Sequence, residues 1–336
     1  MRLAVDAWNL VDDRRGMGRY VRRVLNDWRG ESDLEITLIV RKHPHVVPLR
    51  NEFPYAVEVG VLGQFDAAWY PWNAIRFDAP GSSSTVLFHD AFAFTRPHRD
   101  FIARWREQAP IRRAMERADA RAVNSQWSAG ELARTFKRDI ADFTVIHPVP
   151  DPFWFPVDAR SAERYVLVVG GPEERKNIPT LVRAFARAFA GAECKLLVVG
   201  NLSAKDAWQL ERSGICHDRV SADDERLREL YSGALAVAVP SLAEGYGIMA
   251  VEAMACGAPV IASNASALPE ACDGAAILVP PLEIEAWAFA LERIVHDTTL
   301  RETMREQSLA RAARIDRSEP ARLTLALIRQ SLVNAR

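Results

Sequence analysis

The sequence lacks an excess of charge of either sign, because 43 Lys and Arg residues stand against 44 Asp and Glu residues and leave a formal net charge of −1. Without a basic surplus the chain has no global positive field to hold a polyanion, so a dedicated nucleic-acid-binding protein is disfavoured. The near balance conceals a mild division, with a net charge of +3 over residues 1–150 and −4 over residues 151–336.

Cysteine is scarce, and the four cysteines lie far apart without a CxxC pair: Cys194, Cys216, Cys256 and Cys272. This spacing argues against a zinc site and a disulfide scaffold, and it predicts buried thiols in a reducing compartment. No D-x-D sequence occurs in a loop suited to a metal ion. We therefore expect no metal site.

Long apolar runs are also missing. The first ten residues, MRLAVDAWNL, reach Asp6 before a signal-like run can form, and the most apolar stretch, Gly233 to Ala243, ends at Glu244. We therefore expect neither a secretion signal nor a membrane span, and a cytoplasmic location.

Short apolar runs alternate with helical patterns along all 336 residues, a length that suits two domains of about 150 residues each. Runs such as YVLVVG and KLLVVG are apolar on both faces, which predicts parallel sheets covered by helices on both sides, a doubly wound α/β fold. The predicted strands are Leu3–Ala7, Glu35–Val40, Ala56–Val61, Ala67–Tyr70, Thr85–His89, Ala122–Asn124, Thr144–His147, Tyr165–Gly170, Lys195–Gly200, Ala234–Val239, Pro259–Ala262 and Ala276–Val279.

Four prolines between His147 and Pro156 preclude regular structure and indicate the linker between the domains. We expect an N-terminal domain over 1–150 and a C-terminal domain over 151–336, with a last helix, about 318–336, that is able to cross back to the first domain. Two such domains facing each other predict a cleft lined by the carboxyl ends of the strands, where α/β proteins bind ligands.

The most informative segment, PSLAEGYGIMAVEAMACGAP over 240–259, runs from a strand end through a glycine-bearing loop into a helix. Gly245 and Gly247 permit a tight turn, and the free N–H groups at the helix start favour an anion. Glu244 and Glu252 are suited to accept hydrogen bonds from sugar and ribose hydroxyls. The alternative is that Glu244 caps the helix and Glu252 is solvated.

Other strand-end loops carry complementary groups. Arg175 and Lys176 follow the strand YVLVVG and are suited to a diphosphate, although such a pair is also common on solvated surfaces. Gly16 and Gly18 form a shortened glycine loop at a probable helix start, where backbone N–H groups can reach a phosphate. His89 ends a buried strand and is either structural or a contact to a sugar. A further strand-end loop leads into a helix at SNASALPE, residues 263–270.

The order of the motifs GMGRY, FHD, GGPEERKN, PSLAEGYGIMAVEAMACGAPVIASNASALPE and AAILVPP resembles the GT4 family of retaining GT-B glycosyltransferases. Within that family the chain is similar to bacterial mannosyltransferases that assemble O-antigens, lipopolysaccharide and other polysaccharides. The resemblance is densest from Tyr165 to Leu282. It departs from the family at Gly171, where many members have an arginine, and at Trp8.

The resemblance implies a role for each matching residue. Glu244 contacts the transferred sugar, the backbone of Tyr246, Gly247, Ile248 and Met249 contacts sugar and diphosphate, and Glu252 holds the ribose. Arg175 and Lys176 bind phosphate, and Gly16 and Gly18 form the N-terminal phosphate loop. His89 lies near the sugar, and loops 200–201 and 220–223 lie near the nucleobase.

The resemblance further implies a retaining hexosyltransferase that needs no metal and no cofactor. Its donor is a nucleotide-sugar, with GDP-mannose the best candidate, and its acceptor is a sugar or a lipid-linked glycan. Arg175, Lys176 and the helix start near Gly247 would stabilise the leaving group electrostatically. Two alternatives stay open: a GT-B sugar-nucleotide epimerase and a non-catalytic nucleotide-sugar-binding module. An NAD-dependent oxidoreductase is disfavoured because GMGRYV lacks the third glycine.

The stretch Arg96–Arg121 carries eight arginines and four acidic residues with apolar residues interleaved. It is either a basic surface that contacts anionic lipid at the inner face of a membrane or an ordinary packed helix pair broken at Pro110. Oligomeric state is not indicated by the sequence.

Overall fold

The computed structural model describes residues 1–13, 16–61, 63–159, 164–189 and 193–334. The strands of these residues are β1 (Arg2–Asp6), β2 (Glu35–Val40), β3 (Ala56–Val59), β4 (Ala67–Tyr70), β5 (Ser83–Phe88), β6 (Ala120–Val123), β7 (Phe143–Val145), β8 (Tyr165–Val169), β9 (Lys195–Val199), β10 (His217–Val220), β11 (Ala236–Val239), β12 (Val260–Ser263) and β13 (Ala276–Val279). The helices are α1 (Met17–Asp27), α2 (Val46–Glu52), α3 (Phe92–Thr95), α4 (Phe101–Arg117), α5 (Gln126–Phe136), α6 (Ile178–Ala188), α7 (Ala204–Glu211), α8 (Asp224–Gly233), α9 (Ile248–Ala255), α10 (Leu268–Cys272), α11 (Ile284–His296), α12 (Thr298–Ala313) and α13 (Glu319–Asn334).

The chain divides into two compact units, of which the first comprises Met1–Val149 and Asp316–Arg336. Its sheet has the parallel strand order β3-β2-β1-β4-β5-β6-β7. Both faces are covered, because Leu3 and Val5 of β1 enter one apolar core while Ala4 enters the other. The strand order reverses direction between β1 and β4, where ligands bind in open α/β sheets.

The second unit comprises Pro150–Ile315, and its parallel sheet has the order β10-β9-β8-β11-β12-β13. Val166 and Val168 of β8 pack into one core and Leu167 into the opposite one, as a sheet with helices on both faces requires. Here the strand order reverses between β8 and β11. The predicted doubly wound α/β architecture is thus confirmed for both units.

The predicted break near residue 150 coincides with the boundary between the units, but residues 316–336 belong to the first unit rather than to the second. Helix α13 packs against the first sheet, where the Ser331 hydroxyl lies 3.0 Å from the Ser83 hydroxyl. The Trp28 indole also donates to the Ala321 carbonyl at 2.9 Å. The C-terminal helix therefore completes the core of the N-terminal unit.

Two local predictions were wrong. Edge strand β10, whose sequence is HDRV, was missed because it is half-exposed and polar and so lacks an apolar run. The interpretation of Arg96–Arg121 as a helix pair broken at Pro110 fails, since α4 is one continuous helix with Pro110 inside it. Pro110 lies on the exposed side, where water can satisfy the carbonyl that loses its intrahelical partner. Within the described ranges, no helix is long and apolar enough to cross a membrane.

Candidate functional site

The centre of the candidate site is the loop between β11 and α9. Gly247 precedes α9 with φ +102°, a left-handed conformation that side chains rarely adopt. A Cβ there would lie 2.7 Å from a methyl carbon of Leu268. The left-handed backbone and the close approach of Leu268 both require glycine, so Gly247 fixes where α9 begins.

Glu244 lies in this loop, 8% exposed, and its carboxylate accepts hydrogen bonds from two cations. Arg175 Nη1 donates at 2.9 Å and Lys176 Nζ at 2.8 Å, while the Ser241 hydroxyl donates at 2.8 Å. The structure therefore brings together three residues that the sequence placed in two separate loops. We call Glu244, Arg175 and Lys176 the ionic triad.

The triad bridges the loops after β8 and β11, the two neighbouring strands at which the order of the sheet reverses. The loops are joined by the main chain as well, since the Leu242 N–H donates to the Arg175 carbonyl at 2.7 Å. Parallel strands bring their carboxyl ends to one edge, and the crevice at the reversal point is the usual ligand site.

In the triad, two cations bond to one carboxylate. Burial alone would raise the pKa of Glu244, but the Lys176 ammonium and the Arg175 guanidinium together hold this pKa below its ordinary value. Glu244 is therefore ionised at neutral pH.

Asn177 supports the triad, and sequence analysis missed it. Its backbone is left-handed (φ +54°), and its amide nitrogen donates to the carbonyls of Pro240 at 2.9 Å and Pro281 at 2.7 Å. The Thr180 hydroxyl donates to the Asn177 amide oxygen at 2.7 Å. An asparagine just before an Ile-Pro helix start was the available signal, since asparagine tolerates left-handed backbone.

The alternative interpretations of the two glutamates and the two cations do not fit the structure. Helix α9 has no side-chain cap, so Glu244 does not cap it, and Glu252 is 7% exposed rather than solvated. Lys176 is 8% exposed, and the Arg175 side chain is 24% exposed, unlike a surface pair.

The other predicted donor-binding residues surround the start of α9. Tyr246 is buried against Val251 and Ala271, and burial raises its pKa to about 12, so its hydroxyl stays protonated. Ile248 and Met249 form the first turn, half-exposed. The first N–H groups of a helix have no partner within it, so this turn offers donors beside the triad.

The predicted nucleobase loops follow neighbouring strands. The Gly200 N–H, at the end of β9, donates to the Val220 carbonyl at 3.0 Å, and Gly200 is left-handed with φ +94°. The Asp223 carboxylate accepts the Arg226 N–H at 2.8 Å and thereby caps α8. Asp223 therefore has a structural role in this loop.

The predicted phosphate loop lies in the first unit, and Arg14 and Arg15 within it fall outside the described residues. Gly16 (φ +51°) precedes α1, and a Cβ on Gly18 would lie 1.9 Å from the Asp13 carbonyl oxygen, so both glycines are required. The Gly18 N–H donates to the Asp13 carboxylate at 3.1 Å. In this structure that carboxylate occupies one donor predicted for phosphate.

His89 also lies in the first unit, directly after β5. Its Nε2–H donates to the Pro71 carbonyl at 2.8 Å, while its backbone N–H donates to the Asn73 side chain at 2.7 Å. Burial lowers the pKa of His89 to about 4, although the Pro71 bond opposes this. The imidazole is therefore neutral at pH 7, with Nδ1 as an acceptor. In the described ranges, no cluster of three His, Cys, Asp or Glu side chains is arranged to hold a metal ion.

Comparison with known proteins identifies similar sequences and structures. Residues 153–311 match the model of the family glycosyl transferases group 1, which confirms the resemblance indicated by the motifs of the C-terminal unit. The chain is 26% identical over 250 residues to the O-antigen chain mannosyltransferase B of Escherichia coli, covering 68% of this chain and 65% of that protein. It is 30% identical over 215 residues to the MMP alpha-(1->4)-mannosyltransferase of Mycolicibacterium hassiacum, covering 57% and 52%.

The fold likeness extends over both units. The crystal structure of Anabaena HepE in complex with UDP and glucose superposes with a TM-score of 0.77 at 16% identity, covering 98% of this chain and all of that one. The fold is therefore GT-B. The chain spans about half to two thirds of the length of the curated relatives described above.

Proposed function

We propose that this chain, whose C-terminal unit belongs to the glycosyl transferases group 1 family, is a retaining, metal-independent glycosyltransferase. It moves a hexose from a nucleotide-sugar to a sugar or lipid-linked glycan. The observation that carries the proposal is the buried ionic triad beside the start of α9, with Lys176 Nζ and Arg175 Nη1 2.8 and 2.9 Å from the Glu244 carboxylate.

The triad suits a donor that is anionic at one end and hydroxylated at the other. A diphosphate supplies the second anion that Arg175 and Lys176 can hold, and sugar hydroxyls can donate to Glu244. When the bond from the anomeric carbon to the phosphate oxygen breaks, the leaving diphosphate gains charge. Cations already fixed in a water-poor site stabilise that charge without reorganising.

In this proposal no side chain attacks the sugar. The acceptor hydroxyl attacks the anomeric carbon on the face that the diphosphate leaves, its proton passes to a phosphate oxygen, and the anomeric configuration is kept. Glu244 orients the sugar through its hydroxyls, and the N–H groups at the start of α9 support the diphosphate. Metal-independence means that Arg175 and Lys176 neutralise charge that a divalent ion would otherwise neutralise.

We propose GDP-mannose as the donor, because two relatives bear mannosyltransferase names. A UDP-sugar is the competing donor, since HepE, one of the structural neighbours, was crystallised with UDP and glucose. Initial rates with GDP-mannose, UDP-glucose and dTDP-glucose, each with and without EDTA, separate these cases. The α configuration of the product, read from its anomeric NMR coupling, tests retention.

The variant that tests the site is Lys176→Met, with Lys195→Met as the matched control. Both lysines lie in the second unit and are paired, Lys176 with Glu244 at 2.8 Å and Lys195 with Asp218 at 2.7 Å. Loss of one charge-stabilising donor lowers kcat by about 10²–10³. We expect that loss for K176M and unchanged rates for K195M, and equal rates in the two variants would contradict the assignment.

The same assay distinguishes the two alternatives. A GT-B sugar-nucleotide epimerase would convert the donor to its epimer without releasing nucleotide. A non-catalytic module would show a thermal shift with nucleotide but no turnover with any donor. Release of GDP that increases when acceptor is added favours the transferase.

We also propose that the first unit contacts an anionic membrane through the amino-terminal end of α4. Phe101, Ile102 and Trp105 are 67%, 57% and 62% exposed, so three large apolar side chains lie on the surface within five consecutive residues. Arginines flank them at positions 96, 99, 104 and 106. A basic surface with exposed aromatic residues complements anionic lipid, and a lipid-linked acceptor would be found there.

Sedimentation with vesicles of phosphatidylglycerol and phosphatidylcholine tests this contact. We expect salt-sensitive binding that the triple variant F101S/I102S/W105S loses. Trp208→Ser is the matched control, because Trp208 is also 62% exposed but lies on α7 of the second unit. Binding that is insensitive to salt, or binding that the control variant loses equally, would contradict the proposed membrane contact.

A further inference from the structure

A cavity of about 620 Å³ lies in the first unit, between the connection from β4 to β5 and the carboxyl-terminal half of α4. Its lining includes Ser84, the second residue of β5, and Asp119, the residue before β6, so it lies at the amino ends of these strands. The predicted glycine loop and His89 instead follow the carboxyl ends of β1 and β5. Cavities of this volume are typical of small-molecule sites. The cavity is therefore a candidate site separate from the predicted substrate residues.

Part of the lining is apolar. The Tyr70 ring lies 4.8 Å from the Phe77 ring, and the Tyr70 hydroxyl donates to the Phe77 carbonyl at 2.9 Å, which holds the connection in place. Ile75, Phe77 and Ala79 line the cavity, pack against the apolar core and are only half-buried. Such side chains gain free energy when the apolar part of a ligand displaces water from them.

Two arginines of α4, Arg113 and Arg117, supply positive charge to the lining, and both are exposed. They are four residues apart, so their side chains project from the same face of the helix, where like charges repel. Arg117 Nη2 donates to the Asp78 carboxylate at 2.7 Å. Among the described residues Arg113 has neither a hydrogen bond nor an ion pair, so its five N–H donors are unused by the protein.

The two carboxylates of the lining already accept hydrogen bonds from the protein. Asp119 Oδ2 accepts the Ser84 N–H at 2.7 Å and the Ser84 hydroxyl at 2.8 Å. The Arg117 guanidinium holds the pKa of Asp78 below its ordinary value, and Arg113 adds a smaller effect in the same direction. The two guanidiniums therefore have more unused donors than the carboxylates have unused acceptor sites. This surplus favours a ligand group that only accepts, such as a phosphate.

The helix face that carries Arg113 continues to the exposed apolar end of α4. Ile102, Arg106 and Arg113 are spaced by four and seven residues, so they share one face, and all three are exposed. At 1.5 Å per residue, Ile102 lies roughly 16 Å from Arg113 along the helix. An amphiphile at a membrane surface would meet the apolar end of this face and the arginines of the cavity on the same side of α4.

We propose that the cavity binds an acidic amphiphile, with its phosphate group on Arg113 and Arg117 and its apolar chain against Ile75, Phe77 and Pro80. One phosphate accepts from both guanidiniums and compensates the repulsion between them. A zwitterionic amphiphile brings a cation that the arginines repel, and free phosphate leaves the apolar lining uncovered. The proposal concerns a separate site and does not rest on the proposed glycosyl transfer.

The test titrates the full chain with dihexanoyl phosphatidic acid, kept below its micelle concentration, and follows binding by calorimetry. We expect the wild type to bind, and R113M and R117M each to weaken binding about tenfold or more. Both arginines are exposed, so these variants should fold. R112M is the matched control and should bind normally, because Arg112 lies over the Phe94 ring at 4.8 Å and does not line the cavity.

Two further probes distinguish the sources of a phosphate group. Inorganic phosphate lacks the chain and dihexanoyl phosphatidylcholine lacks the net charge, so each should bind at least about tenfold more weakly than the acidic probe. The triple variant F101S/I102S/W105S should bind the acidic probe as the wild type does, because those side chains lie outside the cavity.

Four outcomes would overturn the proposal. They are a wild type that does not bind the acidic probe, wild-type-like binding in both R113M and R117M, equal affinity for inorganic phosphate or phosphatidylcholine, and loss of binding in F101S/I102S/W105S. Equal affinity for inorganic phosphate would identify a simple anion site, and loss in the triple variant would place the ligand at the end of α4. Turnover of GDP-mannose tests the proposed function independently of all four.

Discussion

Replacing Glu244 with glutamine tests whether the ionic triad is held as the structure shows. Gln keeps the shape of the side chain but removes its charge, so Arg175 and Lys176 lose their shared counter-ion. Lys176 is 8% exposed and the Arg175 side chain 24% exposed, so water replaces that counter-ion poorly. Breaking a buried pair by removing one partner costs about 3–5 kcal/mol, against about 0–1 kcal/mol for an exposed pair.

The structure predicts that related variants lose less stability than E244Q does. In K176M, Arg175 still pairs with Glu244, so this variant should lower the free energy of unfolding by less than E244Q does. S241A removes one hydrogen bond to Glu244, 2.8 Å long, and should cost about 0.5–1.5 kcal/mol. The double variant E244Q/K176M should be more stable than the sum of the single losses predicts, because one unpaired cation is gone.

Hydrogen exchange at the amides of β8 and β11 measures these differences within the second unit, which avoids treating a two-unit chain as two-state. A loss below about 1 kcal/mol in E244Q, with additive energies in the double variant, would refute the buried triad. In activity assays E244Q should lower turnover by about 10²–10³. Its nucleotide affinity should not fall, since both cations are left for the diphosphate.

Three further outcomes follow from other residues. Asp6 has a pKa raised from 3.8 to about 6, so the folded state binds more protons between those values, and stability falls by about 2 kcal/mol as pH rises from 4 to 7; urea titrations of D6N should lack this loss. The His89 imidazole should titrate near pH 4 by NMR, and a midpoint near 6.5 would contradict its burial. G247A should lower stability by about 1–3 kcal/mol and weaken nucleotide binding in thermal-shift assays, because Gly247 is left-handed and a Cβ meets Leu268 at 2.7 Å; unchanged values would show that α9 starts elsewhere.

Much of the site could be predicted because the loops that follow parallel strands lie at the same edge of the sheet. Arg175 and Lys176 follow one buried strand and Glu244 follows another, and loops after parallel strands share one edge. The sequence could not show that β8 and β11 are neighbours, because strand order depends on tertiary packing. It therefore assigned the two cations to phosphate and the glutamate to sugar without indicating that they bond to one another.

The remaining misses have a common physical cause, which is that each depends on a partner distant in sequence. Trp72 and Arg76, which lie near Asp6 in the structure, are about 70 residues beyond it in the sequence. Strand β10 is polar because it is an edge strand, and it is defined by pairing with β9. Local periodicity predicts elements, whereas such contacts are set by topology.

The two units differ in the charged groups that lie where the order of each sheet reverses. In the second unit two cations share one carboxylate and bond to it directly, so an incoming diphosphate meets positive charge already desolvated and positioned. In the first unit the Asp6 carboxylate faces the Arg76 guanidinium at 3.8 Å, so the charges nearly cancel. Coulomb energy therefore favours an anion beside the two cations of the triad more than beside the Asp6–Arg76 pair. If the proposed function is correct, charge would thereby place the diphosphate of the donor at the triad, before shape is considered.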